Sequence, residues 1–81
     1  MNKRYADGVT PAAALNARAE VASQVKEARK EVHLTQQNLA DLTGTQKSNI
    51  SRMESGRYNP SLDFLVKVAS SLGKELTIKI Q

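Results

Sequence analysis

The sequence predicts a mainly α-helical bundle closed at its C-terminal end by one β-strand, and three observations predict it. The stretch QQNLADLTGTQKSNISRMESGR, from Gln36 to Arg57, sets two short amphipathic patterns on either side of a glycine. Apolar residues recur at helical spacing before and after that stretch. From Glu75 to Ile80 the pattern changes to polar and apolar alternation with β-branched Thr77, Ile78 and Ile80, the period of a half-buried strand. The 81 residues therefore divide into a polar, flexible arm at 1–9, a helical domain at 10–73 and a terminal strand at 74–81.

Thr10 followed by Pro11 starts the first helix, because threonine caps and proline is tolerated where its missing N–H costs nothing. An Ala-rich helix follows to about Glu31, with Val21, Val25, Ala28 and Val32 as its apolar stripe and Lys26, Glu27, Lys30 and Glu31 solvated. Asn16 marks a candidate break, and the turns from Pro11 to Ala19 either pack on the body or bind another protein. In the next helix Leu39 and Ala40 form the inner face, and the small side chain of Ala40 lets a second helix cross close by. Gly44 supplies the left-handed turn, and Thr45 is placed to cap the following helix. In that helix Ile50 and Met53 face inward. Asn59 and Pro60 then make a turn, and Ser61 caps a helix whose Leu62, Leu65, Val66, Ala69 and Leu72 complete the core before Gly73 ends it. The strand lines Leu76, Ile78 and Ile80 along one face, and a lone strand has no ladder partner within a helical chain. Antiparallel pairing with its own copy about a two-fold axis satisfies both ladders and gives a dimer; a frayed tail, or docking on a partner protein, are the alternatives.

The polar side of the second short helix carries the chemistry. Gln46, Lys47, Ser48, Asn49 and Arg52 lie outside with no acid among them. Lysine and arginine read guanine O6 and N7, amides read adenine, and hydroxyls serve either base or bond phosphate. Two helices with a glycine turn and such a face form a DNA-binding helix-turn-helix; the plain alternative is a helical hairpin with a solvated polar side. The formal net charge of +4 agrees with a nucleic-acid partner without requiring one. Lys3, Arg4 and Tyr5 in the arm would touch DNA or a partner, or form a terminus with no role.

Composition narrows the function further. Without cysteine, disulfides and thiolate metal sites are excluded, and a single histidine, His33, gives no metal cluster, so neither metal nor cofactor is expected. Ser48 or Ser51 with His33 and Asp41 form a nominal triad on paper, but both serines belong to the polar helix already explained, and no catalytic residue or enzyme activity is expected. Lys3 and Arg4 are not followed by an apolar run of signal-peptide length, and no membrane span is present, so the expected location is cytoplasmic.

The segment from Val25 to Leu72, in particular LTQQNLADLTGTQKSNISRMESGRYNPSL and FLVKVASSLG, resembles the phage repressor and Cro family of helix-turn-helix domains, often called XRE-type. The resemblance implies a lambda-repressor-like bundle. It implies that Gln36 contacts phosphate and braces the recognition helix, that Lys47, Ser48 and Arg52 read bases, and that Tyr58, Asn59 and Ser61 belong to the grip on the DNA backbone, while Arg57 joins the DNA-binding set through the net positive charge it gives the motif. It also implies an ion pair between Arg29 and Glu54. A glutamate common after the Gln is replaced here by Gln37 and Asn38, so Thr35 is expected to cap without the reciprocal acid of a capping box. The helix-turn-helix body followed by a strand also resembles small antitoxins of the HigA and HipB classes. The motif and the two-fold pairing of the strand predict a sequence-specific transcriptional repressor that reads a palindromic operator as a homodimer, and the narrower likeness implies an antitoxin that binds a cognate toxin and represses their operon with it. A stand-alone phage-like or metabolic repressor, and a protein-binding adaptor that reads no DNA, are the alternatives.

Overall fold

Four helices carry the fold in a computed structural model that describes residues 11–81: α1 (Ala12–Glu31), α2 (Gln36–Thr43), α3 (Lys47–Glu54) and α4 (Leu62–Ser71). The arm at 1–9 and the Thr10 cap lie outside the described residues. Pro11 occupies the position before α1, its carbonyl accepting from Ala14 and Leu15. The helix runs through Asn16 without a break.

The core is small. Leu39, Ala40, Ile50, Met53, Val68 and Leu72 are buried together, with Val25, Ala28, Leu34, Tyr58, Phe64 and Leu65 packed around them. α2 crosses α3 and α4, while α1 lies against α3. The interior therefore comes mostly from α2, α3 and α4. α1 contributes Ala22 and, unusually for a helix facing a core, the arginine Arg29. Its expected stripe ends early, because Val32 lies past the helix and is exposed.

Helix α4 meets the core on a face rotated from the expected one. Val68 and Leu72 are buried and Phe64 and Leu65 pack beside them, whereas Leu62 and Val66 are 61% and 51% exposed. The sequence LDFLVKVASS is apolar enough to support either register, and both share Leu65.

Three helices end in the same way. After α2, Thr45 N–H donates to the Ala40 carbonyl across Gly44 (φ 69°); after α4, Lys74 N–H donates to Ala69 across Gly73; after α1, Leu34 N–H donates to Arg29 across His33. This is the six-to-one closure that needs a left-handed residue at its centre. Histidine adopts it at φ 59°, where an L side chain is strained.

No β-strand is present among the described residues, which corrects the strand expected at 74–81. Alternation makes an extended chain favourable, but a strand exists only through a ladder, and these helices offer no edge to pair with. The tail leaves α4 beside the end of α1, where Lys74 and Glu31 form an exposed ion pair at 3.3 Å. Leu76 is half-buried at a groove it shares with Val21, Val25, Ala28, Leu65 and Leu72. Ile78 and Ile80 remain exposed, Ile80 at 97%.

Candidate nucleic-acid interface

Two local devices fix how α2 and α3 meet. At the start of α2, the Thr35 hydroxyl accepts from Asn38 N–H at 2.9 Å while the Asn38 side-chain oxygen accepts from Thr35 N–H at 3.0 Å. The reciprocal cap is therefore complete without an acid, correcting the expectation of a missing half: asparagine at the third helical position supplies the same acceptor. At the turn, Gly44 bends the chain and Gln46, not Thr45, occupies the cap position of α3, with no side-chain cap bond. The Thr45 hydroxyl instead accepts from the Asn49 amide at 2.8 Å.

Beneath the motif lies one charged joint. Arg29 on α1 grips Glu54 at the end of α3 with two hydrogen bonds, Nε to Oε2 at 2.7 Å and Nη2 to Oε1 at 2.9 Å. Its Nη1 donates to the Leu34 carbonyl at 2.7 Å. Gln36, at the start of α2, donates from its side-chain nitrogen to the same carboxylate at 3.1 Å. Arg29 is 8% exposed and the Glu54 side chain 2%. The bond from Glu54 raises the guanidinium pKa above its ordinary value; burial opposes this, and the carboxylate charge adds to it more weakly. Paired and hydrogen-bonded on this scale, a charge can stay inside a small core.

The outer side of α3 is open. Gln46, Lys47, Ser48, Ser51 and Arg52 are exposed, and Asn49 is half-buried with its amide engaged at both ends. Arg52 Nη2 donates to Asn49 Oδ1 at 2.7 Å. The Arg52 guanidinium also lies 5.9 Å from the centre of the Tyr58 ring, and that ring stands edge-on to Phe64 with centroids 6.4 Å apart. In the loop to α4, Arg57 and Asn59 are exposed and the Ser61 hydroxyl caps α4 by accepting from Phe64 N–H at 3.1 Å. Gly56 turns this loop at φ 80° directly against α1, where a Cβ would lie 3.5 Å from the Ala19 backbone.

The structure thus leaves Gln46, Lys47, Ser48 and Arg52 exposed along α3 and its cap, holds Asn49 half-buried between Thr45 and Arg52, and joins Gln36 to Glu54. Leu76, Ile78 and Ile80 are not brought into a ladder. Sequence reasoning did not find the Leu34 carbonyl as an acceptor for Arg29, nor the Tyr58 ring as a platform for Arg52. The i, i+3 spacing of Asn49 and Arg52 was the one available signal for the latter network. Among the described residues no cluster of His, Asp or Glu is placed to hold a metal ion, and no helix is long and apolar enough to cross a membrane.

A glycine-turned pair of short helices, the second buried on one side and exposing cations and amides on the other, defines a helix-turn-helix unit of the DNA-binding class. The family model described as Helix-turn-helix (HTH_3) matches residues 25–79. The chain belongs to this XRE-type family of DNA-binding transcriptional regulators. It is 43% identical over 51 residues to an uncharacterised HTH-type transcriptional regulator of Methanothermobacter thermautotrophicus, covering 63% of this chain and 74% of that one. It is 40% identical over 57 residues to an immunity repressor protein of Bacillus phage phi105, covering 70% of this chain but only 40% of the repressor. Among solved structures, a toxin-antitoxin module from Streptococcus pneumoniae superposes with a TM-score of 0.65 at 30% identity, over 99% of this chain and 92% of that chain.

Proposed function

We propose that the chain is a sequence-specific transcriptional repressor that reads a palindromic operator as a homodimer. The observation that carries this reading is the outer side of α3, where Lys47 and Arg52 stand exposed while the acid of the same helix, Glu54, is turned inward onto Arg29. Lys47, Ser48 and Arg52 read base edges. Gln36, Arg57, Tyr58, Asn59 and Ser61 belong to the contact with backbone phosphates. Residues 10–73 act as the DNA-binding body. A small domain with a modest core gains from a second subunit, and the exposed Leu62 and Val66 of α4 together with Ile78 and Ile80 of the tail supply apolar surface for it.

The setting we propose is a toxin-antitoxin operon, with this chain as the antitoxin that binds its toxin and represses their shared promoter. The near full-length likeness to the pneumococcal module supports it. A stand-alone phage-like repressor is the second reading, favoured by the similarity to the phi105 immunity repressor. Selection of duplexes from a randomised pool by the pure protein tests the first part: enrichment of an inverted repeat with half-sites roughly 34–36 Å apart supports it, and enrichment of no sequence refutes it. Co-purification of the chain with the product of the adjacent gene, and rescue of growth from that product, separates antitoxin from stand-alone repressor.

A further inference from the structure

The Arg52 side chain is held from two sides before any DNA arrives. On its own helix, Asn49 accepts from Nη2 at 2.7 Å, and the Asn49 amide nitrogen is anchored on the Thr45 hydroxyl at 2.8 Å. From the loop, the Tyr58 ring lies against the guanidinium at 5.9 Å and is itself set by its edge contact with Phe64, which packs on the core. An exposed arginine ordinarily samples many rotamers and loses that freedom on binding. Here the freedom is already restricted.

We infer that Asn49 and Tyr58 are positioning residues that hold Arg52 in one base-reading pose, so that the base pair facing Arg52 is read as guanine. The inference rests on the proposal above that α3 reads bases. Hydrogen-bond stoichiometry supports it. Asparagine recognises adenine by presenting its oxygen and its nitrogen together; in Asn49 the bonds to Arg52 and Thr45 use one of the oxygen's two lone pairs and one of the two amide hydrogens, and turn the amide toward its own chain. Arginine has five N–H donors and no acceptor, so after giving one hydrogen to Asn49 it keeps enough for a two-point fork. Guanine is the base that offers two acceptors, O6 and N7, side by side in the major groove. The Tyr58 ring attracts the cation through its face, which leaves the in-plane donors free. Tyr58 therefore contributes through its ring, beside the phosphate contact proposed above.

The test uses the full chain and a duplex enriched by it from a randomised pool, followed by a panel of that duplex with each base pair replaced in turn, at one fixed salt concentration. Arg52→Ala is expected to abolish discrimination at one G·C pair, a change of about 5- to 100-fold. Asn49→Ala and Tyr58→Ala are expected to weaken discrimination at that same pair and leave the other pairs ranked as before, while Tyr58→Phe, which keeps the ring, keeps that discrimination and lowers affinity only evenly across the panel, as loss of a phosphate contact does. Thr45→Val, which removes only the anchor of Asn49, is expected to act in the same direction and serves if Asn49→Ala does not fold. The inference is overturned if Asn49→Ala relaxes a different base pair of its own, if Asn49→Ala and Tyr58→Ala lower affinity equally on every duplex, or if Tyr58→Phe loses discrimination at that pair as fully as Tyr58→Ala. Failure of the unaltered protein to enrich any sequence refutes the base-reading proposal and this inference with it. A clear consensus with none of the predicted changes refutes the inference alone.

Discussion

Replacing Arg29 by alanine removes the two bonds to Glu54 and the bond to the Leu34 carbonyl, and leaves a carboxylate whose side chain is 2% exposed with Gln36 as its remaining donor. Hydrogen bonds to charged groups contribute roughly 1.5–3 kcal/mol each, so the two to Glu54 alone correspond to about 3–6 kcal/mol. Stranding one partner of a buried pair costs about 3–5 kcal/mol in general, which agrees. For a domain of this size a loss of 3 kcal/mol lowers Tm by about 12 °C or more, and total stability is only about 5–15 kcal/mol. Thermal and urea unfolding followed by helical circular dichroism measures it, with Lys30→Ala, an exposed neighbour on the same helix, as the reference expected to change by less than about 0.5 kcal/mol. The double replacement Arg29→Met with Glu54→Leu should cost less than Arg29→Ala alone, because no charge is then left unpaired. If Arg29→Ala melts with Lys30→Ala, the pair contributes nothing and the reasoning is refuted. The pH dependence has a definite sign. Because Glu54 raises the guanidinium pKa in the folded state, the arginine's contribution is fully present below its unfolded pKa and is lost only as pH rises through the folded one. That window lies in strong base, so this contribution should not change from neutral to mildly alkaline solution.

Four further outcomes are expected. Lys47→Ala should reduce operator affinity by roughly 1–3 kcal/mol and relax base preference, whereas Gln36→Ala should weaken binding to all duplexes alike, as mobility shifts on the selected operator and scrambled DNA would show. His33→Gly should stabilise the fold by about 1 kcal/mol, since glycine occupies the left-handed position after α1 without strain; a lower Tm would refute that. Asn38→Ala should cost about 1 kcal/mol by opening the cap of α2, measured by urea midpoint. Leu62→Lys combined with Val66→Lys should shift sedimentation from dimer towards monomer with helicity retained; an unchanged dimer would move the association elsewhere.

Much of the fold was legible in the sequence because it was written in local chemistry. Gly44, Ile50 and Met53 stand where a left-handed turn and an i, i+3 face require them, and α1 ends at Glu31 as its pattern indicated. The register of α4 was not legible, because its apolar residues continue round the helix and only packing against α2 selects Phe64 and Val68 over Leu62 and Val66. The tail misled for a different reason: alternation reports a preference for extended backbone, whereas a ladder depends on what lies alongside. On α3 and its cap, residue types marked the exposed positions Gln46, Lys47, Ser48 and Arg52. The engagement of Asn49 by Thr45 and Arg52, and of Arg52 by Tyr58, depends on rotamers and on a loop brought back by tertiary packing, which no periodicity reports.

The division of α3 into two sides has an evolutionary consequence. Ile50, Met53 and Glu54 hold the helix to the body, while Lys47, Ser48 and Ser51 are exposed and make no side-chain contact that the body depends on. On the function proposed above, folding constrains one set of codons and target choice the other, so the exposed side can drift or be exchanged as a cassette while the body stays stable. A duplicated copy of such a gene could acquire a new regulatory address through a handful of substitutions on an eight-residue helix, without first passing through an unfolded ancestor.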